Sequence, residues 1–304
     1  VHARGGDGQT PLHFASTIEI AEYLLAHGAD IDARDIDHES TPAQYMVRDR
    51  QQIARYLVSR GCQTDILMAA ALGDLDLVRK HLDRDPSCIR RNVSERYFPK
   101  TNSHGGGTIY IWTLGQYWTA HRAAREFSHL EALDLLMERS PADLKLSSAC
   151  ELGDEAAVRF LIASQPDTGR TLPEEERRKV TDAALNNNDA AVRLMLEAGW
   201  PVDARGQHGA TPLHWAAWNG NLEMLHEILR YQPQLELKEN DFKGTPLGWA
   251  IHGSKNGWRR AQGDYPGVVE ALIDAGAEAP ELTDGLEASE PVREVLRRDS
   301  AKKP

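Results

Sequence analysis

The chain has 304 residues, with 35 Lys and Arg against 46 Asp and Glu, a formal net charge of −11. That balance excludes a general nucleic-acid binder, which needs a net basic face. Hydrophobic residues at 41% and charged residues at 27% exclude wholesale disorder, and no apolar run reaches the ~18 residues of a membrane span. The first residues contain no charged-then-apolar leader. The three cysteines, Cys62, Cys88 and Cys150, form neither a disulfide framework nor a Cys-x-x-Cys pair, so they read as small buried thiols in a reducing compartment.

In chain order, the first element is Thr10-Pro11-Leu12-His13-Phe14-Ala15. Thr is a good helix N-cap, Pro needs no amide donor at the next position, and Leu and Ala form a thin apolar stripe that a second helix can approach closely. The element recurs as Thr211-Pro212-Leu213-His214-Trp215-Ala216-Ala217 and, degraded, as Thr245-Pro246-Leu247-Gly248-Trp249-Ala250 and Thr41-Pro42-Ala43. A second helix follows each copy. It stops at Gly28, Gly61, Gly199 or Gly276, the residue type suited to a left-handed helix end, or just before Pro86, Pro141, Pro166 or Pro233. The stops fall at residues 28, 61, 85, 140, 165, 199, 232 and 276, a base spacing of 33 with departures of 24, 55, 25 and 44.

A turn plus two helices at this period, with Thr-Pro-Leu-His and Gly28-Ala29-Asp30, resembles the ankyrin-repeat family over nearly the whole chain. The expected fold is therefore an all-α ankyrin-repeat solenoid of about eight helix-turn-helix units with short β-turn fingers. Residues 1–89 would hold repeats one to three, and residues 90–118 an inserted hairpin or flap. Residues 119–280 would hold repeats four to eight, with a second insertion at 254–266, and residues 281–304 a polar cap helix and a tail frayed from Ala301. The short intervals, before Leu67 and Leu146, imply repeats that lack most of their finger. Val1-His2-Ala3-Arg4 matches Ile31-Asp32-Ala33-Arg34 and Val202-Asp203-Ala204-Arg205, the expectation being that the native chain continues upstream.

Within the first insertion, Ile109 to Thr113 is β-branched and aromatic and reads as a short strand. Gly105-Gly106-Gly107 permits a tight turn, but no Lys-Ser/Thr follows, so it is not a phosphate loop. The second insertion, His252 to Pro266, is similar to a variant in bacterial ankyrin-repeat proteins, and that likeness implies a bacterial, cytoplasmic protein.

The resemblance also implies where a ligand would sit. The two positions after the Ala-Ala pair of each first helix would face a concave groove: Ala71 and Leu72, Glu126 and Phe127, Glu151 and Leu152, Leu185 and Asn186, Trp218 and Asn219, His252 and Gly253. All seven tryptophans lie between Trp112 and Trp258. Trp215 and Trp249 fall on a core position and Trp200 between repeats, whereas Trp112, Trp118, Trp218 and Trp258 lack such a slot. Aromatic residues commonly anchor partners. The candidate binding residues are thus Tyr110, Trp112, Glu126, Phe127, Glu151, Asn186, Trp218, Asn219, His252 and Trp258.

The expected function is recognition of a protein partner, with no cofactor, no metal, no nucleic acid and no membrane. His13 and His214 belong to the repeat, and His129 precedes a second helix, so all three read as structural. His104, His208 and His252 have no such explanation, but no His-x-x-x-His pair marks a zinc site. The alternative is a small-molecule or carbohydrate pocket between residues 90–118 and the last repeats. Glu126 and Glu151, on neighbouring helices roughly 8–10 Å apart, would there act as an inverting glycosidase pair with Asp264 or His252 assisting. The run Glu174-Glu175-Glu176-Arg177-Arg178-Lys179 reads as a solvated, internally paired helix face.

Overall fold

A computed structural model describes residues 1–301; the last three residues of the expected tail lie outside the described residues. The chain divides into two compact units, Val1–Ser140 and Pro141 onward. In the first, a 3-10 turn (Pro11–Phe14) precedes α1 (Ile18–Ala26). Three helix pairs follow: α2 (Pro42–Met46) with α3 (Gln51–Ser59), α4 (Ile66–Leu72) with α5 (Leu75–Arg84), and α7 (Ala120–Glu126) with α8 (Leu130–Arg139). The short α6 (Tyr110–Thr113) lies in the insertion between the last two pairs.

The second unit pairs α9 (Ala142–Glu151) with α10 (Glu155–Ser164). After α11 (Glu174–Arg177) it pairs α12 (Lys179–Leu185) with α13 (Asp189–Glu197). It continues with α14 (Pro212–Asn219) and α15 (Leu222–Leu229), α16 (Pro246–Asn256) and α17 (Tyr265–Asp274), and ends on α18 (Glu290–Ser300). The helices stop where the sequence puts them: Gly28, Gly61, Gly199 and Gly276 all have φ between 86° and 106°, a backbone that costs a glycine little.

The repeat's signature residues do what their chemistry suggests. In Thr211-Pro212-Leu213-His214 the Thr211 amide donates to His214 Nδ1 at 3.2 Å, and the ring's Nε2 lies 3.2 Å from the Gly244 carbonyl of the next finger. His13 repeats this geometry between Thr10 and the Ser40 carbonyl. Both rings are buried, and burial lowers their pKa, that of His214 to about 4. The small pairs Ala69-Ala70, Ala123-Ala124, Ala183-Ala184 and Ala216-Ala217 are buried. They let first helices pack on first helices, α4 on α7, then α12 on α14 on α16. Second helices pack likewise, α13 on α15 on α17, and α18 closes the series against α17 with Val292, Val295 and Leu296 buried.

The first insertion is not a hairpin. Tyr110–Thr113 closes one helical turn, and the single strand-like pairing among the described residues is the bridge of Asn92 with Thr119. A strand needs a neighbour for its backbone groups, and this helical stack offers none to Ile109–Thr113. Tyr110 is drawn inward, wholly buried, with its hydroxyl donating to Asp65 at 2.9 Å.

Nor does the segment hang free as a flap, because it is moored to the finger of the second repeat. Glu39 accepts the Thr101 amide and hydroxyl and the Asn102 amide at 2.6–3.0 Å, and these bonds hold its carboxyl below the usual range. The Gly106 amide reaches Asp37, and the Gly107 carbonyl lies 2.8 Å from the His38 ring. A Cβ at Gly105 would meet the Asp37 carbonyl at 2.5 Å, so this glycine serves close approach. Arg48 fixes the far end of the segment through the Thr113 and Leu114 carbonyls.

Candidate functional site

Stacked repeats place equivalent residues in rows. In the second unit one row runs Ser148, Asp182, Trp215, Trp249, and the next runs Glu151, Leu185, Trp218, His252. Each row is polar toward α9 and aromatic toward α16.

The aromatic half is a contiguous cluster. Trp215 meets Trp249 edge-on at 5.0 Å, and Trp218 meets Trp249 at 5.9 Å. Trp258 stacks on Trp215 at 6.1 Å and stands edge-on to Trp218 at 5.9 Å, while the His252 ring stacks on Trp218 at 6.0 Å. Trp215 is 3% exposed, Trp218 and Trp249 are half-buried, and Trp258 is 67% exposed. The cluster thus runs from core to solvent. The Nε1 atoms of Trp215 and Trp218 are buried without a hydrogen-bond partner, as are Asp182 Oδ1, Ser148 Oγ and Asn219 Oδ1. An unpaired buried polar atom costs about 1–3 kcal/mol, and four of these five atoms lie on the two rows.

The second insertion supplies Trp258 and is seated on α14. The Tyr265 hydroxyl donates to the Trp218 carbonyl at 2.8 Å, and the Asp264 amide to the Gly220 carbonyl at 2.9 Å. A Cβ at Gly253 would lie 3.1 Å from the Trp218 carbonyl, a tight contact that would push α16 back by a few tenths of an ångström. The preceding finger is tied by Glu239, whose carboxylate accepts the amides of Asp241, Phe242 and Gly244 at 2.6–3.0 Å. It leaves Phe242 83% exposed at its tip.

The polar half is a buried ion cluster. Lys179 Nζ lies 3.0 Å from Glu176, 3.0 Å from the Ser147 hydroxyl and 3.7 Å from Glu151. Glu176 and Lys179 are almost fully buried. The expected solvated face is therefore corrected: the three-residue spacing does pair Glu176 with Lys179, but α11 and α12 turn that pair inward against α9. Beside it, burial pushes the Asp182 carboxyl up to about 6, although Arg178 at 3.5 Å pulls the other way.

Of the residues singled out from sequence, Trp218, His252 and Trp258 come together. Asn219 does not join them: it is buried, and its side-chain amide donates to the Ala184 carbonyl at 3.1 Å. Asn186 is half-buried and spends its amide on the Asp182 carbonyl. Tyr110 is core, and so is Trp118, whose ring stacks with the guanidinium of Arg122 at 4.6 Å. Trp112, 71% exposed on α6, Glu126, exposed, and Phe127, half-buried under Arg48, belong to the first unit. Ala71 and Leu72 are buried rather than groove-facing.

Of the expected acid pair, Glu126 is exposed in the first unit. Glu151 is engaged with Lys179, and Asp264 caps α17 through the Gly267 amide. A cavity of about 810 Å³ lies within the first unit, and a shallower hollow of about 770 Å³ lies along α15 between Leu222 and Arg230. The cavity's walls are the finger at Arg34–Thr41, Gln63–Asp65 and the insertion at Tyr97–Asn102, not the last repeats that the pocket alternative requires. Among the unexplained histidines, His208 bonds Asp241, His252 lies 3.3 Å from Glu287, and His104 is exposed. The residues that sequence reading missed are Trp249, assigned wholly to the core, and Phe242, whose place two residues before Gly244-Thr245-Pro246 marks a finger tip.

Against known families, the profile described as ankyrin repeats (3 copies) matches residues 146–241 and again 180–284, and that of the single ankyrin repeat matches residues 7–36. The chain is an ankyrin-repeat protein. Its relatives include palmitoyltransferase Hip14 of Drosophila melanogaster, 31% identical over 43% of this chain and 19% of that protein. The E3 ubiquitin-protein ligase XB3 of Oryza sativa subsp. japonica is 32% identical over 27% of this chain and 18% of its own length. The ankyrin repeat and KH domain-containing protein mask-1 of Caenorhabditis elegans is 26% identical over 78% of this chain and 9% of its own. The chain therefore spans less than a fifth of each of these proteins, all of them eukaryotic. No helix among the described residues is long and apolar enough to cross a membrane.

Proposed function

We propose that this ankyrin-repeat chain is a protein-binding scaffold whose recognition surface is the row of first helices in the second unit. Trp258, Trp218, Trp249 and His252 are its centre. The observation that carries this reading is the aromatic cluster, which starts in the core at Trp215 and ends in solvent at Trp258. Rigid aromatics anchored from below are the residues that dominate binding energy at interfaces.

The test is selection of binders from a random peptide library on the intact chain, followed by affinity measurement on Trp258→Ala. A loss of about 2 kcal/mol, roughly thirtyfold, is expected of a hot spot; unchanged affinity removes the cluster from the interface. A reducing, cytoplasmic setting accords with three free, buried cysteines whose thiols burial holds protonated, Cys62 up to about 12 and Cys88 up to about 11.

A second reading, a small-molecule or glycan site, draws on the cavity in the first unit, whose 810 Å³ falls within the usual ligand range of about 300–1,000 Å³. A thermal-shift screen against metabolites and glycans separates the two. Under this reading, hits shift the melting temperature and are weakened by Gln63→Trp, which adds bulk at the cavity wall and lies in the first unit.

A further inference from the structure

The turn that carries Trp258 has a charge character opposite to that of the whole chain. Lys255, Arg259 and Arg260 lie within six residues and are exposed, and no ion pair engages any of them among the described residues. Two acids of the neighbouring structure are committed elsewhere. Glu287 faces His252 and Asn256, and Asp264 caps α17. Arg259 sits close enough to the Tyr265 hydroxyl, itself bonded to the Trp218 carbonyl, to act on it electrostatically. The cations thus border the aromatic cluster. The turn's own backbone is well tied, Gly257 to Gly253 at 2.7 Å and Gly263 to Arg259 at 2.8 Å, so the three charges are displayed from a fixed frame.

Three unpaired cations around an exposed indole, on a chain of net charge −11, form a local feature that a uniformly solvated surface does not need. We propose that this turn and the tryptophans beneath it dock an acidic segment of the partner protein, Trp258 covering an apolar residue while Lys255, Arg259 and Arg260 meet flanking carboxylates. The proposal rests on the protein-binding reading above and names the class of partner. A nucleic acid is disfavoured because the rest of the chain repels a long polyanion, and because three cations neutralise few phosphates. An acidic peptide matches the site in length and charge, and long-range attraction to it would act chiefly on the association rate.

Three probes test this on the intact chain. Two are labelled peptides of about a dozen residues with the same aromatic content, one rich in Glu and the other rich in Lys; the third is an oligothymidylate of similar length. The Glu peptide should bind, weaken steeply with added salt, and lose tenfold or more in affinity in R259E/R260E and in K255A/R259A/R260A. Circular dichroism should show both variants folded, since all three side chains are exposed. Failure of the Glu peptide to bind, equal binding of the Lys peptide, tighter binding of the oligonucleotide, or indifference to both variants overturns the proposal. Library-selected peptides that are lost in Trp258→Ala but unaffected by R259E/R260E refute the acidic partner and leave the aromatic interface standing. Peptides indifferent to both refute both.

Discussion

Replacing Asp182 with Asn should stabilise the second unit at neutral pH and leave it unchanged in acid. Asp182 sits where the next two repeats carry tryptophan, its carboxyl almost fully buried with Oδ1 unpaired. Burial raises its pKa from 3.8 to about 6 against the opposing pull of Arg178. A shift of about two units corresponds to roughly 3 kcal/mol between the protonation states. The sign follows from linkage. Below about pH 4 the carboxyl is protonated in both folded and unfolded chains and contributes nothing. Between about 4 and 6 the unfolded chain releases the proton while the folded chain keeps it, so stability falls as pH rises; above 6 the full destabilisation persists.

Asn mimics the protonated acid at every pH, so the variant minus wild-type difference should be near zero at pH 3.5 and grow to about 3 kcal/mol by pH 7. Taking this difference cancels the opposite slopes of His13 and His214, whose lowered pKa values make stability fall as pH drops below 6.5. Urea unfolding followed by tryptophan fluorescence reads chiefly this unit, since five of the seven tryptophans, Trp200, Trp215, Trp218, Trp249 and Trp258, lie in it and only Trp112 and Trp118 in the first. A difference that stays flat from pH 4 to 7 would refute the argument that burial governs this carboxyl.

Other outcomes follow from the same packing. Lys179→Met leaves Glu176 buried without its cation and should cost about 3–5 kcal/mol, most of it recovered in the double variant with Glu176→Leu; full additivity in the double-mutant cycle would contradict the pairing. Trp258→Ala should move Tm by under about 2 °C because the ring is largely exposed. Trp218→Ala, which removes contacts with two indoles and the His252 ring, should lower Tm by about 4–8 °C, as a loss of ~2 kcal/mol implies. Glu39→Gln should speed amide exchange in residues 100–108 without unfolding α2 or α3. In the wild-type chain the same loosening should set in only as pH falls through the depressed pKa of Glu39, since its bonds favour the ionised form.

The repeat was legible because each of its parts has a local cause. Thr211 and His214 close a cap within four residues, and Gly61 or Gly199 ends a helix whatever lies beyond it. What the sequence concealed depends on partners far along the chain. Ile109–Thr113 has the composition of a strand, yet its conformation is decided by Asp65 and by the absence of a strand to pair with. Glu176 and Lys179 have the spacing of a surface pair, yet α9 lies over them.

The groove positions were legible only in part for a related reason. Equivalent positions in the repeat do not receive equal exposure: Trp218 and His252 keep solvent access, whereas Ala71 and Leu72 lose theirs. Asn219 looked like a groove residue because nothing in the sequence shows the Ala184 carbonyl waiting for its amide.

The most direct measurement is hydrogen–deuterium exchange on the intact chain, with and without a saturating library-selected peptide. Binding on the aromatic row predicts slowed exchange in α16 and the turn through Arg260, and no change in the second helices α10, α13 and α15. Protection confined to those second helices, or to the cavity walls of the first unit, would place the partner elsewhere and contradict the account.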